Sequence, residues 1–192
     1  MRKLFLSLLS LLVAFSSQSQ TKWKADLAHS SIQFEVSHMT ISTVSGKFTD
    51  FTCELESKKN SFEGAKIDAK VKVESVSTEN LTRDKHLKED DFFNAKEYPQ
   101  MTFVSESFKK KEGNLYEITG MLTIRDVTKK ITFPATYSGM INMGNRTISG
   151  FKANFTINRF DYDLKWDDTL DTGSLVVGED VDVSLNFELV KI

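Results

Sequence analysis

Three side chains near position 30 carry the chemistry most often found in metal sites. Asp26, His29 and His38 offer the carboxylate and imidazole ligands that zinc prefers. Their spacing matches no compact metal-binding motif, and a third nitrogen or sulfur ligand is hard to find. The pattern favours a polar role instead, as hydrogen-bonding groups inside or at the rim of an apolar pocket. We therefore predict no metal site, and we treat His29 and His38 as candidate ligand-binding residues.

Catalysis finds little support in the sequence. It contains no G-x-S-x-G elbow, no H-E-x-x-H pair and no phosphate-binding loop. Arg83, Asp84 and His86 are neighbours, but helical residues one and two positions apart do not face each other. Cys53 is the only cysteine and lies in an alternating stretch, so we interpret it as a small buried apolar residue. We predict no catalysed reaction and no cofactor.

The N-terminus has the pattern of a secretory signal peptide, residues 1–19. Arg2 and Lys3 precede an apolar run from Leu4 to Phe15, and small residues follow. The apolar run is too short to span a bilayer with ease, which disfavours the alternative of a retained anchor helix. We predict cleavage before Gln20, one domain over residues 20–192, and a soluble protein in the periplasm or outside the cell.

Composition and charge narrow the partner classes. Apolar residues make up 40% of the chain and charged residues 27%, which is typical of a folded soluble protein. The 25 basic and 27 acidic residues leave a formal net charge of -2 with no basic patch, so nucleic acid is a poor partner. Fifteen Phe against two Pro indicate strands lined with large aromatic rings.

Alternation of apolar and polar residues recurs from end to end. Each run predicts a strand with one apolar face and one wet face, which is typical of antiparallel sheet. Eight runs can be counted. They are Ile32–Val36, Phe51–Leu55, Ile67–Val73, a run beginning at Met101 and Phe103, Ile118–Ile124, Ile131–Tyr137, Phe151–Ile157 and Val181–Leu189.

Polar segments separate the runs. Lys110–Asn114, Arg125–Lys129 and Met143–Asn145 predict hairpin connections. The longer segment Glu79–Asp91 predicts about three turns of helix, with Thr78 as its N-cap.

Eight alternating strands must hide their edges, and closing the sheet does so. An eight-stranded barrel has an interior just large enough for side chains or for one small ligand. The pattern leaves open whether the barrel is filled or hollow, and whether the strands form a barrel or a sandwich.

The sequence resembles the YceI-like lipid/polyisoprenoid-binding family over nearly the whole chain after residue 19. The segments that carry the resemblance follow the family's order and spacing. They are Trp23–Asp26 with His29-Ser30, Phe34–His38, Val44–Phe48, Thr82–Leu87, Asp91–Phe93, Tyr98–Phe103, Gly120–Lys129, Asn158–Tyr162 and Gly178–Val181. Two connections depart from the pattern: Arg125-Asp126, where the family usually carries Gly, and the acidic loop Trp166–Gly173.

The resemblance implies an all-β, lipocalin-like antiparallel barrel with one short helical insertion, an export signal and no catalysed reaction. It also implies a long internal pocket for an isoprenoid or similar amphiphile. Together with the alternation it predicts a ligand-binding set of six rings and three polar groups. The set is Phe34, Phe48, Phe103, Phe133, Phe155 and Phe187 with His29, His38 and Arg159.

Three function classes follow. The first is a carrier, store or protective sink for an isoprenoid or other long-chain lipid, loaded through a transient membrane contact, as a monomer or homodimer. The second is a filled barrel that binds another protein at an exposed rim. The third is an enzyme that modifies a bound lipid.

Overall fold

The computed structural model describes residues 20–58 and 61–192, so the predicted signal peptide lies outside the described residues. Strands dominate this part of the chain. They are β1 (Gln20–Ala25), β2 (Ser31–His38), β3 (Ser42–Phe48), β4 (Phe51–Lys58), β5 (Ser61–Lys72), β6 (Val76–Ser77), β7 (Gln100–Lys110), β8 (Leu115–Ile124), β9 (Val127–Met143), β10 (Arg146–Asn158) and β11 (Val177–Lys191). One helix, α1 (Leu81–Leu87), and two 3₁₀ turns, Val73–Ser75 and Arg159–Tyr162, complete the described elements.

The strands form a closed antiparallel barrel. The order β4, β5, β7, β8, β9, β10 and β11 closes on itself because β1 pairs with both β4 and β11. β2 pairs with the remaining length of β11, and β3 pairs with β2 and lies just before β4 in the chain. Likewise β6 continues β5 and pairs with β3. The strand segments therefore occupy eight positions around the barrel, one for each alternating run, which confirms the predicted fold class.

Alternation determines which side chains face inward. In β10, Phe151, Ala153, Phe155 and Ile157 point into the barrel. The intervening Asn154 accepts a hydrogen bond from a neighbouring strand on the outer surface. Since a pleated strand turns successive side chains to opposite faces, this spacing puts apolar groups inside without exposing them to water.

The helix is shorter than predicted and has a different cap. It begins at Leu81, and its N-cap is Asn80, whose side-chain oxygen accepts a hydrogen bond from the Arg83 amide. Thr78 lies outside the helix because its amide and hydroxyl both donate to Asp84 Oδ1, at 2.7 and 2.5 Å. None of the helices in residues 20–58 and 61–192 has the length and apolarity needed to cross a bilayer.

An aromatic cluster closes the barrel at its lower end, the end that carries the β9–β10 turn. Phe62 is its centre: its ring centroid lies 4.9 Å from Phe151, 5.4 Å from Trp23 and 5.5 Å from Tyr137. Trp23 Nε1 donates a hydrogen bond to the buried Ser57 hydroxyl at 2.9 Å, which satisfies the one polar atom of the indole ring. The upper end is covered by two connections, residues 78–99 and 159–176.

Candidate functional site

The barrel interior contains an apolar cavity of about 240 Å³, here called the barrel cavity. It is lined by inward-facing side chains of nine of the strands and by the cover at the upper end. The structure brings all six predicted phenylalanines to this wall: Phe34, Phe48, Phe103, Phe133, Phe155 and Phe187. Phe133 and Phe155 stack with centroids 4.5 Å apart and planes 20° apart. Such a surface favours apolar chains, because their transfer from water to an apolar wall is favourable. It disfavours polar groups, because it offers no hydrogen bonds to replace those made with water.

Two glycines hold two of these rings against the wall. Gly46 lies opposite Phe34 in the β2–β3 pair, and a Cβ built on Gly46 would lie 2.2 Å from Phe34 Cζ. At Gly120 a Cβ would lie 2.5 Å from both Phe103 Cζ and the Val104 carbonyl oxygen. Each ring therefore occupies the place of a missing side chain, and neither projects as far into the lumen as it would beside a larger residue.

The length of the cavity can be estimated from β11, which lines it from Val181 to Leu189. Eight residue steps at about 3.3 Å, on a strand tilted by about 40°, span roughly 20 Å along the barrel axis. An extended alkyl chain advances about 1.3 Å per carbon–carbon bond. The cavity is thus long enough for a chain of about sixteen carbons.

A second chamber of about 180 Å³, the mouth pocket, lies between the β2–β3 hairpin, α1 and the end of the 159–176 connection. The two chambers share Phe34, Val36, Leu87, Phe92 and Val177, so they adjoin. Unlike the barrel cavity, the mouth pocket has several polar side chains on its wall. These are Ser37, His38, Thr78, Arg83 and His86.

His86 is held in place by one acid and two rings. Its Nε2 lies 2.9 Å from Asp91 Oδ2. Its ring meets Phe92 and Trp166 edge-on, with centroids 5.0 and 5.9 Å away, while Phe92 and Trp166 stack on each other. Arg83 donates from Nε to the Thr78 hydroxyl and from Nη2 to the Thr78 carbonyl oxygen. His86, Arg83 and Thr78 are therefore fixed in place before any ligand binds.

Arg125 ties the cover to the barrel. It adopts a left-handed conformation, φ 56°, in the turn Arg125-Asp126 between β8 and β9, where the resemblance leads us to expect a glycine at one of the two positions. Its Nη1 lies within 2.9 Å of the carbonyl oxygens of Asp90, Phe92 and Asp163. The departure from the family pattern thus gives a side chain that joins both covering connections to this turn.

Arg159 lies at the top of the barrel cavity, 3% exposed. Its guanidinium donates to the carbonyl oxygens of Gly178, Leu164 and Val177 at 2.8–3.0 Å and stacks over the Phe160 ring. Among the described residues it forms no salt bridge. Burial lowers the pKa of Arg159, and the more distant Asp167 and Glu179 oppose that shift. The result is a buried cation at the cavity wall without a carboxylate in contact.

The two predicted histidines have different surroundings. His38 lines the mouth pocket. His29 instead lies in the loop between β1 and β2, where its exposed Nδ1 is 3.4 Å from Asp26 Oδ2 and 4.0 Å from Glu188 Oε2. This pairing holds the ring outside the barrel, away from both chambers, and lowers the pKa of Asp26. We therefore leave His29 out of the candidate site.

Cys53 lines the barrel cavity and carries a free thiol. Burial raises its pKa to about 12, so the thiol stays protonated and behaves as an apolar wall group. No cluster of three or more potential metal ligands occurs in the described ranges.

Sequence reasoning missed three members of the site: Arg83, His86 and Trp166 at the mouth pocket. The sequence pattern predicts a solvated or capping role for His86 and indicates no ligand-binding role for Arg83. Their acidic or aromatic partners lie up to eighty positions away, and no local pattern joins these segments.

The comparisons with known proteins agree with this architecture. The sequence profile of the YceI-like domain matches residues 23–189. A UPF0312 protein of Staphylococcus aureus strain MSSA476 is 34% identical over 163 residues, which cover 84% of this chain and 92% of that protein.

Two solved structures share the fold. The YCEI protein of Campylobacter jejuni is 35% identical with a TM-score of 0.69, covering 79% of this chain and 87% of that one. A domain from Saccharophagus degradans, described as polyisoprenoid-binding, has a TM-score of 0.64 at 17% identity and covers 89% of this chain and 98% of that one. At that identity the second likeness concerns the fold alone. With a matched profile over most of its length and these relatives, the chain belongs to the YceI-like domain family.

Proposed function

We propose that this protein holds one long-chain amphiphile, with its tail in the barrel cavity and its polar head in the mouth pocket. The observation that carries the proposal is the junction of the two chambers. An apolar lumen whose wall contains ten phenylalanines continues into a pocket lined by His38, Arg83 and His86. A molecule with an apolar tail and a polar head matches this change from an apolar wall in the barrel cavity to a more polar wall in the mouth pocket.

The chemistry of the tail follows from the wall and from the relatives. The rings and branched aliphatic side chains of the cavity suit a branched hydrocarbon. The polyisoprenoid-binding description of the Saccharophagus degradans domain supports an isoprenoid-type ligand. The YceI-like domain is a binding domain, and we propose binding rather than catalysis for this chain.

The setting of this function is an export compartment. The signal-like N-terminus supports cleavage near Gln20 and a role as a periplasmic or secreted carrier, store or protective sink. Sequencing the N-terminus of the protein from a cell fraction outside the cytoplasm tests this part. Intact Met1-Arg2-Lys3 on a membrane-bound chain would exclude it.

The ligand itself is tested by extraction. The protein is purified without detergent, and native mass spectrometry is run before and after extraction with organic solvent. We expect one amphiphile per chain before extraction, and recovery of that mass when a mixture of polyprenols and fatty acids is added back. A chain that carries no lipid and takes none up from the mixture would favour the filled-barrel alternative.

A further inference from the structure

The two most exposed large apolar side chains among the described residues both belong to elements that form the wall of the mouth pocket. Leu81 is 89% exposed and Ile41 is 85% exposed. Soluble proteins expose single apolar residues often, so exposure alone has no meaning. The position of Leu81 and Ile41 relative to the two chambers indicates that their exposure has a function.

Ile41 and Leu81 belong to two different walls of the mouth pocket. Ile41 lies in the β2–β3 turn, and the strands on either side supply Val36, His38 and Val44 to the pocket wall. Leu81 is the first residue of α1, which supplies residues 83, 86 and 87. Both side chains therefore lie outside the lining of the pocket: Ile41 is at the tip of the hairpin, and Leu81 is on the face of α1 opposite to the residues that line the pocket. We call these two side chains the lips.

We propose that these two lips dock on a phospholipid bilayer, so that the amphiphile passes between membrane and barrel without crossing water. The inference rests on the proposed function, because a lipid carrier needs such an entrance. Long apolar tails partition poorly into water, so an entrance pressed against the bilayer shortens their exposed path. Inserting one Leu or Ile side chain into apolar surroundings strengthens association by about tenfold or more.

Charges at the mouth determine how the protein would approach the bilayer. Residues 39–45 of the hairpin carry no charge, and Lys85 follows Leu81 by one helical turn on the same side of α1. The remaining side of the mouth is formed by the connection that contains Asp167, Asp168 and Asp171. Anionic lipid repels these carboxylates, so the hairpin and the helix face the membrane and the acidic loop faces water.

The test compares two double variants of the chain that begins at Gln20 and ends at Ile192. Ile41→Ser with Leu81→Ser removes the lips. Ile141→Ser with Met143→Ser is the matched control, since both side chains are 59% exposed but lie at the lower end of the barrel. Three quantities are measured: cosedimentation with phosphatidylcholine vesicles containing some phosphatidylglycerol, the transfer rate of a fluorescent long-chain fatty acid between vesicles, and its equilibrium affinity in solution.

We expect the lip variant to lose about tenfold or more in vesicle association and in transfer rate, with equilibrium affinity unchanged. The control should match the wild type in all three. Equal behaviour of the two variants, or slow transfer with intact vesicle association, would overturn the proposal. If the wild type binds vesicles through the lips but binds no fatty acid, the membrane-docking proposal is supported and the proposed function is contradicted.

Discussion

Substituting Gly46 by Ala distinguishes a hollow barrel from a filled one. The new Cβ would lie 2.2 Å from Phe34 Cζ and within 2.9 Å of two further ring carbons. Ordinary carbon–carbon contacts lie at about 3.5–4.0 Å, so the Phe34 ring must move by about 1.5 Å. Phe34 lines both the barrel cavity and the mouth pocket, so the displaced ring moves into the space that the ligand would occupy.

The displaced ring takes the room of about one or two methylene groups of the ligand. At about 0.8 kcal/mol per buried methylene, affinity should fall by about 0.8–1.6 kcal/mol, a rise in Kd of roughly four- to fifteenfold. The free energy of unfolding should change by less than about 1 kcal/mol. The gain from replacing a strand glycine offsets the strain of a rotated ring that has space to enter.

Fluorescence titration with a long-chain ligand gives Kd, and urea denaturation gives the free energy of unfolding. Gly46→Ala with Phe34→Leu should recover the affinity, because the smaller side chain leaves room for the Cβ. Gly150→Ala is the control, since its Cβ would meet only the Ser138 side chain, with Cβ at 3.1 Å and Oγ at 3.6 Å. A Gly46→Ala protein destabilised by more than about 2 kcal/mol, with unchanged affinity, would refute the hollow barrel.

Two further predictions concern Arg159 and Cys53, which both lie in the cavity wall. Arg159→Met should lower the free energy of unfolding by about 2–4 kcal/mol, because three buried carbonyl oxygens lose their donor. In the proposed binding mode the polar head lies in the mouth pocket, which Arg159 does not line, so the substitution should change the affinities of a fatty acid and of a hydrocarbon of equal length by the same factor. A loss about tenfold larger for the fatty acid would instead place the head group at Arg159. Cys53 should react with a thiol reagent at pH 8 about a thousandfold more slowly in the folded than in the unfolded protein, since burial raises its pKa from 9.0 to about 12. The folded state holds this proton more tightly, so the stabilisation is complete below pH 9 and is lost as pH rises towards 12, which alkaline urea titrations of wild type and Cys53→Ala can measure.

The alternating pattern predicts eight of the eleven strands in the described residues, and it misses β1, β3 and β6. The run Phe151–Ile157 lies in β10 with its apolar residues inward, and the same holds around the barrel. The pattern could not show the break between β1 and β2, and it therefore could not show that His29 sits in a loop on the outside. Helix length was also overestimated at both ends: α1 begins at Leu81 because Asn80 caps it instead of Thr78, and it ends at Leu87, four residues before Asp91.

The site was only partly predictable for a different physical reason. Which residues face inward follows from the two-residue period of a strand, so the six phenylalanines could be chosen. Whether inward rings fill the lumen depends on the residue opposite each ring, as Gly46 opposite Phe34 shows. The mouth pocket joins segments far apart in the chain, and only the closed barrel brings Arg83 and Trp166 to one chamber.

Affinity as a function of chain length tests the central claim most directly. The measurement is a titration of the delipidated protein with saturated fatty acids or alcohols of increasing length, at fixed temperature and below their aggregation limits. We predict a gain of about 0.8 kcal/mol per methylene, close to fourfold in Kd, up to about sixteen carbons, where the roughly 20 Å lumen ends. An affinity that does not increase with chain length would contradict a lipid-holding barrel.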